Sequence, residues 1–148
     1  MVTRLREAVA DDSDAAQVLL QACLLMGLDP GEQFGRQYVL AIDSSGALVG
    51  MAGVEIHGGD GLLRSVAIAE AIRSRGLGGE LTQNRIHWAR SRRLGALYLL
   101  TTTGESYFTR HGFSRIAREL APAAIASPHQ WSSACPASST AMRRVLSD

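Results

Sequence analysis

The chain has 148 residues, of which 46% are hydrophobic and 20% are charged, and its formal net charge is +1. This length and composition predict one globular domain over residues 1–148, and the small net charge argues against binding to nucleic acid or to an anionic membrane. The two cysteines, Cys23 and Cys135, match no metal or redox spacing, and no apolar run approaches the length of a membrane span. We therefore expect a soluble cytoplasmic protein that binds no metal.

The first half of the chain is predicted to contain one strand, one helix and three further strands. Thr3 to Val9 forms the first strand, and the helix begins near the capping residues Asp11 to Ser13 and ends before Gly27 and Pro30. The three further strands cover Tyr38 to Ile42, Leu48 to Ile56, and Leu62 to Ile68. Because short turns join these three strands, they should be antiparallel neighbours in a sheet.

The second half is predicted to continue the same sheet. A helix covers Glu80 to Arg93 and is ended by Gly95. One stripe of this helix is formed by Leu77, Leu81, Asn84 and Trp88. The helix leads from Leu62–Ile68 to a strand over Ala96–Leu100 that Thr101 to Thr103 extend, so these two strands should be parallel. The last predicted elements are a helix over Glu105–His111 and strands over Phe113–Leu120 and Ala141–Leu146. The fold class is therefore α/β, with a mixed sheet.

Between a buried strand and a helix lies the segment Arg73-Ser74-Arg75-Gly76-Leu77-Gly78-Gly79. Glycines at such a position leave backbone N–H groups accessible at a helix N-terminus, where the partial positive charge favours a phosphate. Arg73 and Arg75 add cations whose planar geometry suits phosphate oxygens. The segment therefore predicts a site for a phosphorylated ligand.

Three nucleotide-binding patterns compete for this segment. The P-loop requires a lysine followed by Ser or Thr, but Glu80 follows Gly79. The dinucleotide fingerprint requires a third glycine where Leu81 stands. Arg73, Gly76 and Gly78 instead match the pattern Arg/Gln-x-x-Gly-x-Gly/Ala, and in this the segment resembles the acyl-CoA loop of the GNAT superfamily of N-acetyltransferases.

The resemblance covers nearly the whole order of predicted elements, including Gly112-Phe113 at the start of the sixth strand. It implies a mixed sheet with an antiparallel N-terminal meander and a splayed parallel central pair, flanked by helices. Further segments resemble the acetyltransferase domain of bacterial N-acetylglutamate synthases and the small N-acetyltransferases associated with arsenic-resistance operons. These segments are Gly53-Val54-Glu55, Leu62-Leu63-Arg64-Ser65, Leu99-Leu100-Thr101-Thr102, Tyr107-Phe108 and Cys135-Pro136-Ala137-Ser138.

What the resemblance implies is transfer of acetyl from acetyl-CoA to the α-amine of a small acidic amino acid, or of a glutamate-like antibiotic such as phosphinothricin or arsinothricin. The pantetheine would lie in the opening of the splayed pair, and the N–H near Val66 would polarise the thioester carbonyl. The implied cofactor-binding residues are Val66, Ala67, Ile68, Arg73, Ser74, Arg75, Gly76, Leu77, Gly78, Gly79 and Phe108.

Glu55 is the candidate general base, because strand alternation places Met51, Gly53, Glu55 and His57 on one face. It would take a proton from the substrate ammonium, directly or through water. Two alternatives remain open: His57 could serve instead, or Glu55 could be a solvated carboxylate or a partner of Arg64.

Candidate acceptor-binding residues are Arg64, Thr101 and Thr102. Arg64 interrupts an apolar strand, where an unpaired cation is costly, so it should pair with Glu55 or with the ligand. The threonines follow the apolar part of a parallel strand, where ligands bind in α/β sheets, although ordinary β propensity also explains them.

The general-acid tyrosine found in many members of the superfamily is replaced by Phe108, and Tyr107 is rotated away from that position on a helix. A thiolate can depart with little protonation, so the enzyme hypothesis does not depend on this tyrosine. Cys135 could carry acetyl in a ping-pong reaction, and Trp131 could line the acceptor pocket, but burial in the core explains both residues more simply.

Two other functions remain open from the sequence. The chain could acetylate a protein or peptide amine, or it could bind acyl-CoA without turnover, which the absence of the tyrosine would favour. Many relatives are dimers, so a homodimer is a further expectation, alongside a small-molecule amine as the partner.

Overall fold

The structure is a computed structural model that describes residues 3–25, 27–28, 34–126 and 139–146. Two compact units divide the chain: the first consists of Met1–Val54 and Arg64–Arg85, and the second of Glu55–Leu63 and Ile86–Asp148. The predicted Pro30, Trp131 and Cys135 lie outside the described residues.

Within the described residues, seven strands form one sheet in the order β1-β2-β3-β4-β5-β7-β6. The strands are β1 (Thr3–Glu7), β2 (Tyr38–Asp43), β3 (Leu48–His57), β4 (Asp60–Ile68), β5 (Ala96–Thr101), β6 (Ser114–Ile116) and β7 (Thr140–Val145). The α-helices are α1 (Ser13–Ala22), α2 (Leu77–Ser91), α3 (Glu105–Thr109) and α4 (Ala123–Ala126). The sheet is mixed, because β4 and β5 are parallel whereas β1–β2, β2–β3, β5–β7 and β6–β7 are antiparallel. The predicted fold class is confirmed.

In the first unit, β2 is buried on both faces because its side chains alternate between two clusters. Tyr38 and Leu40 pack with Leu20 of α1 and Met51 of β3. Val39 and Ala41 face the other way and pack in a cluster that includes Leu77 and Leu81 of α2. The continuous apolar run that predicted this strand is therefore explained by a helix on each side of it.

In the second unit, the parallel pairs join Gly61 of β4 with Leu97 of β5 and Leu62 with Tyr98, as the helical connection predicted. β7 lies between β5 and β6, which the sequence did not indicate. The core of this unit is a cluster of apolar side chains from β4, β5, α4 and β7. Its buried members are Leu62, Ala96, Tyr98, Ile125 and Ala141.

Helix α2 differs from its prediction at both ends. It begins at Leu77, three residues before Glu80, and it ends at Ser91. Arg93, with φ 59°, takes the left-handed position after the helix, and the Leu94 N–H bonds the Ala89 carbonyl at 3.1 Å. The prediction that Gly95 ends the helix was therefore wrong; its N–H bonds the Gly59 carbonyl at 2.8 Å instead.

The buried stripe of α2 also differs from its prediction. Asn84 and Trp88 are only partly buried, whereas Thr82, Arg85, Ile86 and Ala89 are buried together with Leu77 and Leu81. The predicted stripe did not include Thr82, Arg85, Ile86 or Ala89.

Three elements in the second unit are shorter than predicted. β5 ends at Thr101, because the Gly104 N–H bonds the Thr101 hydroxyl at 2.8 Å and turns the chain. α3 ends at Thr109 instead of His111. β6 is confined to Ser114–Ile116, because its pairing with β7 ends at Ile116 and Ala141. Only one residue of β7 precedes Ala141, so a longer β6 would have almost no partner strand. The prediction of a strand up to Leu120 was wrong, and residues 118–120 form a 3-10 turn.

Candidate active site

The segment between β4 and α2 leaves the strand through a short 3-10 turn, Glu70–Ile72, and reaches the helix through Arg73 to Gly76. Ser74 and Gly76 have φ angles of 69° and 83°. These left-handed conformations turn the backbone twice within three residues. Such turns expose successive N–H groups on one side of a loop, which favours an anion.

The N-terminus of α2 adds further donors. The Glu80 N–H bonds the Gly76 carbonyl at 3.1 Å, so the helical ladder begins there. The N–H groups of Leu77, Gly78 and Gly79 precede that bond and have no acceptor within the helix. Because α2 has 15 residues, its dipole adds positive potential at these donors.

Arg75 lines a cleft of about 180 Å³ beside this helix N-terminus. The other lining residues are Thr3, Ile72, Leu77 and Glu80. The Arg75 side chain is exposed, so it places a solvent-accessible cation beside the N–H cradle.

Arg73 makes contacts that the sequence did not indicate. Its Nε donates to the Ile68 carbonyl at 3.0 Å, and its Nη2 lies 3.5 Å from Cys23 Sγ. The Cys23 thiol donates to the same carbonyl at 3.4 Å. The guanidinium therefore fixes the loop to the end of β4, and this part of the motif has a structural task.

The end of β4 contains Val66 and Ile68, which are half-buried, and Ala67, which is buried. Ser65, directly before them, has φ 58°. A left-handed serine inside a strand is unusual, because only glycine adopts this conformation without steric cost. No sequence pattern predicted this conformation.

Arg64 precedes this serine and is 6% exposed, as predicted from the apolar strand around it. Its Nε donates to Ser65 Oγ at 3.2 Å, and its Nη2 donates to the Gly27 carbonyl at 3.2 Å. The segment after α1 is also held by Gln17, whose side-chain oxygen accepts the Leu28 N–H at 2.8 Å. Arg64 is thus a buried cation with a fixed orientation.

In the second unit, Glu55 and His57 share a face of β3, which confirms the predicted alternation. Glu55 Oε1 lies 3.8 Å from His57 Nε2, and the two side chains are 18% and 27% exposed, whereas Ile56 between them is 46% exposed. Among the described residues, His57 Nε2 has no hydrogen-bond partner although it is shielded from water. The carboxylate and the imidazole are therefore neighbours, but at 3.8 Å they do not share a hydrogen bond.

Thr101 and Thr102 have different environments. The Thr101 hydroxyl accepts the Gly104 N–H and so shapes the entry to α3, whereas Thr102 is exposed. Thr101 therefore has a structural task in addition to the acceptor-binding one predicted for it.

In α3, the rings of Tyr107 and Phe108 are perpendicular, with centroids 5.1 Å apart, and Phe108 also contacts Phe113 at 5.8 Å. The Tyr107 hydroxyl is buried, and the described part of the chain supplies it no hydrogen-bond partner. The pKa of His111, at the end of this helix, is held below its ordinary value by burial and by the positive charges of Arg110 and Arg144.

Arg85 is a supporting residue that sequence reasoning missed. It is 2% exposed, and its Nη1 donates to the carbonyls of Arg36 and Gln37 at 2.9 and 3.0 Å. The Gln37 carbonyl also accepts the Val54 N–H at 3.0 Å. Arg85 therefore ties α2 to the backbone before β2. Arg85 lies four residues after the apolar Leu81 and therefore on the same face of the helix, which was the sequence feature that could have predicted its burial.

Across the described ranges, no group of three or more His, Cys, Asp or Glu side chains is arranged to hold a metal ion. No helix in that part of the chain is long and apolar enough to cross a membrane.

Comparison with solved structures finds the same fold. N-acetylglutamate synthase from Neisseria gonorrhoeae, solved with coenzyme A and N-acetyl-glutamate, is 17% identical with a TM-score of 0.84 over 100% of this chain, which spans 36% of the synthase. Rv2747 from Mycobacterium tuberculosis, solved with CoA, is 22% identical with a TM-score of 0.83 over 97% of this chain and 99% of that protein. A GNAT-family acetyltransferase from Staphylococcus aureus MU50 is 14% identical with a TM-score of 0.78 over 99% and 100% of the two chains.

Among curated proteins, none matches the sequence. A sequence model of the acetyltransferase (GNAT) family matches residues 6–113, which is more than half of the chain. With the strand–loop–helix cradle and the mixed sheet in place, this match shows that the chain belongs to the acetyltransferase (GNAT) family.

Proposed function

We propose that this protein transfers acetyl from acetyl-CoA to the α-amine of a small acidic amino acid or of a glutamate-like antibiotic. The observation that carries the donor half of the proposal is the cradle after β4. There the left-handed Ser74 and Gly76 lead into the N–H groups of Leu77 to Gly79. A pyrophosphate of CoA matches this set of donors in charge and in hydrogen bonding.

The acceptor half rests on Arg64. A buried guanidinium with a fixed orientation suits the recognition of a carboxylate. The similarity to a synthase solved with N-acetyl-glutamate supports an acidic acceptor. Thr102, exposed after β5, supplies a further hydroxyl in the proposal.

The transfer step then needs a base and a hydrogen-bond donor for the thioester oxygen. Glu55 takes a proton from the substrate ammonium, and the neutral amine attacks the thioester carbon so that a C–N bond forms. The Val66 N–H donates to the carbonyl oxygen as it becomes negative. When the intermediate collapses, the C–S bond breaks, the nitrogen gives its second proton to water, and the CoA thiolate departs and takes up a proton from water. His57, 3.8 Å from Glu55, is the alternative base in the proposal.

The test is a panel of acceptors with acetyl-CoA, in which release of free CoA thiol is followed. We expect turnover with glutamate and glutamate mimics and none with peptides. Turnover with peptides alone would identify a peptide acetyltransferase instead. Tight binding of acetyl-CoA without turnover of any acceptor would identify a non-catalytic acyl-CoA-binding protein.

Arg64→Ala tests the acceptor half. The KM for an acidic acceptor should rise far more than the KM for acetyl-CoA, because the carboxylate loses its cation. Arg64→Lys keeps the charge but loses the planar pair of donors, so its KM for the acceptor should lie between those of the wild type and of Arg64→Ala. Equal increases in both KM values would count against recognition of the acceptor by Arg64.

A further inference from the structure

Ser65 is an unusual residue of the first unit. Four non-glycine residues with positive φ occur in the described chain: Leu24, Ser65, Ser74 and Arg93. Of these, only Ser65 lies within a strand, whereas the other three lie in turns or at the ends of elements. A side chain in this conformation crowds its own backbone, so the surrounding structure must hold it there.

Arg64 provides that hold. Its Nε donates to Ser65 Oγ at 3.2 Å, and its Nη2 donates to the Gly27 carbonyl at 3.2 Å, so the planar guanidinium is fixed at two points. The side chain is buried, so water does not easily replace either bond. If Ser65 relaxed to an extended conformation, its hydroxyl would move away and a buried donor would lose its acceptor.

The conformation of Ser65 sets the direction of the next peptide. In a regular strand the N–H of residue 66 would keep the direction set by the hydrogen-bond pattern of the sheet. A left-handed residue before it rotates this N–H away from that direction, as at a β-bulge. Val66 is half-buried and follows directly. Its N–H is the donor that the proposed function assigns to the thioester oxygen.

We infer that Arg64 is a positioning residue for the transfer step: it holds Ser65 in its left-handed conformation and thereby aims the Val66 N–H. The inference rests on the proposed function and deepens it, because it gives the guanidinium a task in the chemistry besides recognition of the acceptor. It also explains why a serine, whose hydroxyl is short enough to accept from the neighbouring side chain, occupies a position that glycine would fit more easily.

Two substitutions of Ser65 test the inference while leaving the guanidinium in place. Ser65→Ala removes the acceptor oxygen and keeps a side chain that resists the left-handed conformation. Ser65→Gly removes the same oxygen, but glycine adopts this conformation without cost. We expect kcat to fall about ten-fold or more for the alanine variant, within the range for a misplaced oxyanion donor, and most of this loss to be recovered in the glycine variant. The KM for the acceptor should change equally in both, because both variants lose the bond between Ser65 Oγ and Arg64.

Two results would overturn the inference. An alanine variant with the kcat of the wild type would show that the conformation of Ser65 does not matter for transfer. Equal loss of kcat in both variants would show that the hydroxyl itself, rather than the backbone, is what the reaction needs.

A second readout separates this inference from the proposed function. Chemical denaturation should give a lower unfolding midpoint for Ser65→Ala than for Ser65→Gly, because alanine bears the strain. If the wild type turned over no acceptor, the proposed function would fail, and this order of midpoints would still decide whether Ser65 is held under strain. The reverse order, or equal midpoints, would contradict that strain.

Discussion

The two units of the molecule contain candidate functional groups of different kinds. In the first unit, the donors are backbone N–H groups, and their positions follow from φ angles at Ser74 and Gly76 and from the start of α2. In the second unit, the candidate groups are side chains, above all Glu55 and His57 on one face of β3. The difference predicts where each region is vulnerable. The first, apart from Arg64, should be sensitive to conformation and tolerant of side-chain chemistry, and the second should be sensitive to side-chain chemistry.

The largest effect should come from changing the chemistry of a side chain in the second unit. Glu55→Gln keeps the shape and removes the proton acceptor, so kcat should fall about 100-fold, whereas acetyl-CoA affinity should stay the same. Steady-state kinetics and calorimetric titration with acetyl-CoA measure the two quantities.

His57→Gln is the matched control for this prediction. It removes the imidazole that lies 3.8 Å from Glu55, and its effect on kcat should be smaller. A larger loss in His57→Gln than in Glu55→Gln would identify the histidine as the base.

The next effect should come from changing conformation in the first unit. Gly76→Ala adds a methyl group where space is open but φ is 83°, so the only expected damage is to the backbone turn. Acetyl-CoA should bind about ten-fold more weakly, since the turn orients the N–H cradle.

Gly46 provides the control. It also has a positive φ, 88°, and open space around it, but it lies in the turn between β2 and β3. Gly46→Ala should cost a similar amount of stability, about 1 kcal/mol, without weakening acetyl-CoA binding. A loss of affinity in both variants, or in neither, would contradict the assignment of the loop.

A smaller effect is expected at the two threonines. Thr101→Val removes the hydroxyl that accepts the Gly104 N–H and should lower the free energy of unfolding by about 1 kcal/mol. Thr102→Val, at an exposed position, should leave stability unchanged within about 0.5 kcal/mol. If Thr102→Val raised the acceptor KM and Thr101→Val did not, acceptor binding would rest on Thr102 alone.

The smallest effect concerns His111, whose pKa is lowered in the folded state by burial and by Arg110 and Arg144. As pH falls below about 6.5, the unfolded chain binds a proton that the folded chain binds less readily, so stability should fall with pH in this window. The unfolding midpoint of the wild type should therefore decrease more between about pH 7 and pH 5 than that of His111→Gln. Equal slopes would show that the protonation of His111 does not differ between the two states.

The features that could be predicted from the sequence are those that depend on neighbouring residues. The strands, the parallel pair and the glycine segment were predictable, because apolar runs, short turns and glycines act locally. Even the alternation that brings Glu55 beside His57 is a local property of a strand.

The features that the sequence did not predict depend on contacts between residues that are distant in the chain. The conformation of Ser65 depends on Arg64 and on Gly27, which is 37 residues away from Arg64 in the chain. Likewise, Arg85 is buried because two carbonyls of residues 36 and 37 accept its donors. No periodicity or propensity contains such pairings, so the burial of Arg85 was not predicted. The tasks of Arg73 at Ile68 and Cys23 were missed for the same reason.

The central claim is that a CoA cradle in the first unit serves acetyl transfer to an acidic amino acid. The most direct measurement compares kcat/KM for glutamate and for glutamine at a fixed concentration of acetyl-CoA, with release of free thiol as the signal. These acceptors differ in one charge and have nearly the same shape, so a recognition cation should favour glutamate by about ten-fold or more, and Arg64→Ala should abolish the preference. Equal kcat/KM values for the two acceptors in the wild type would contradict the account.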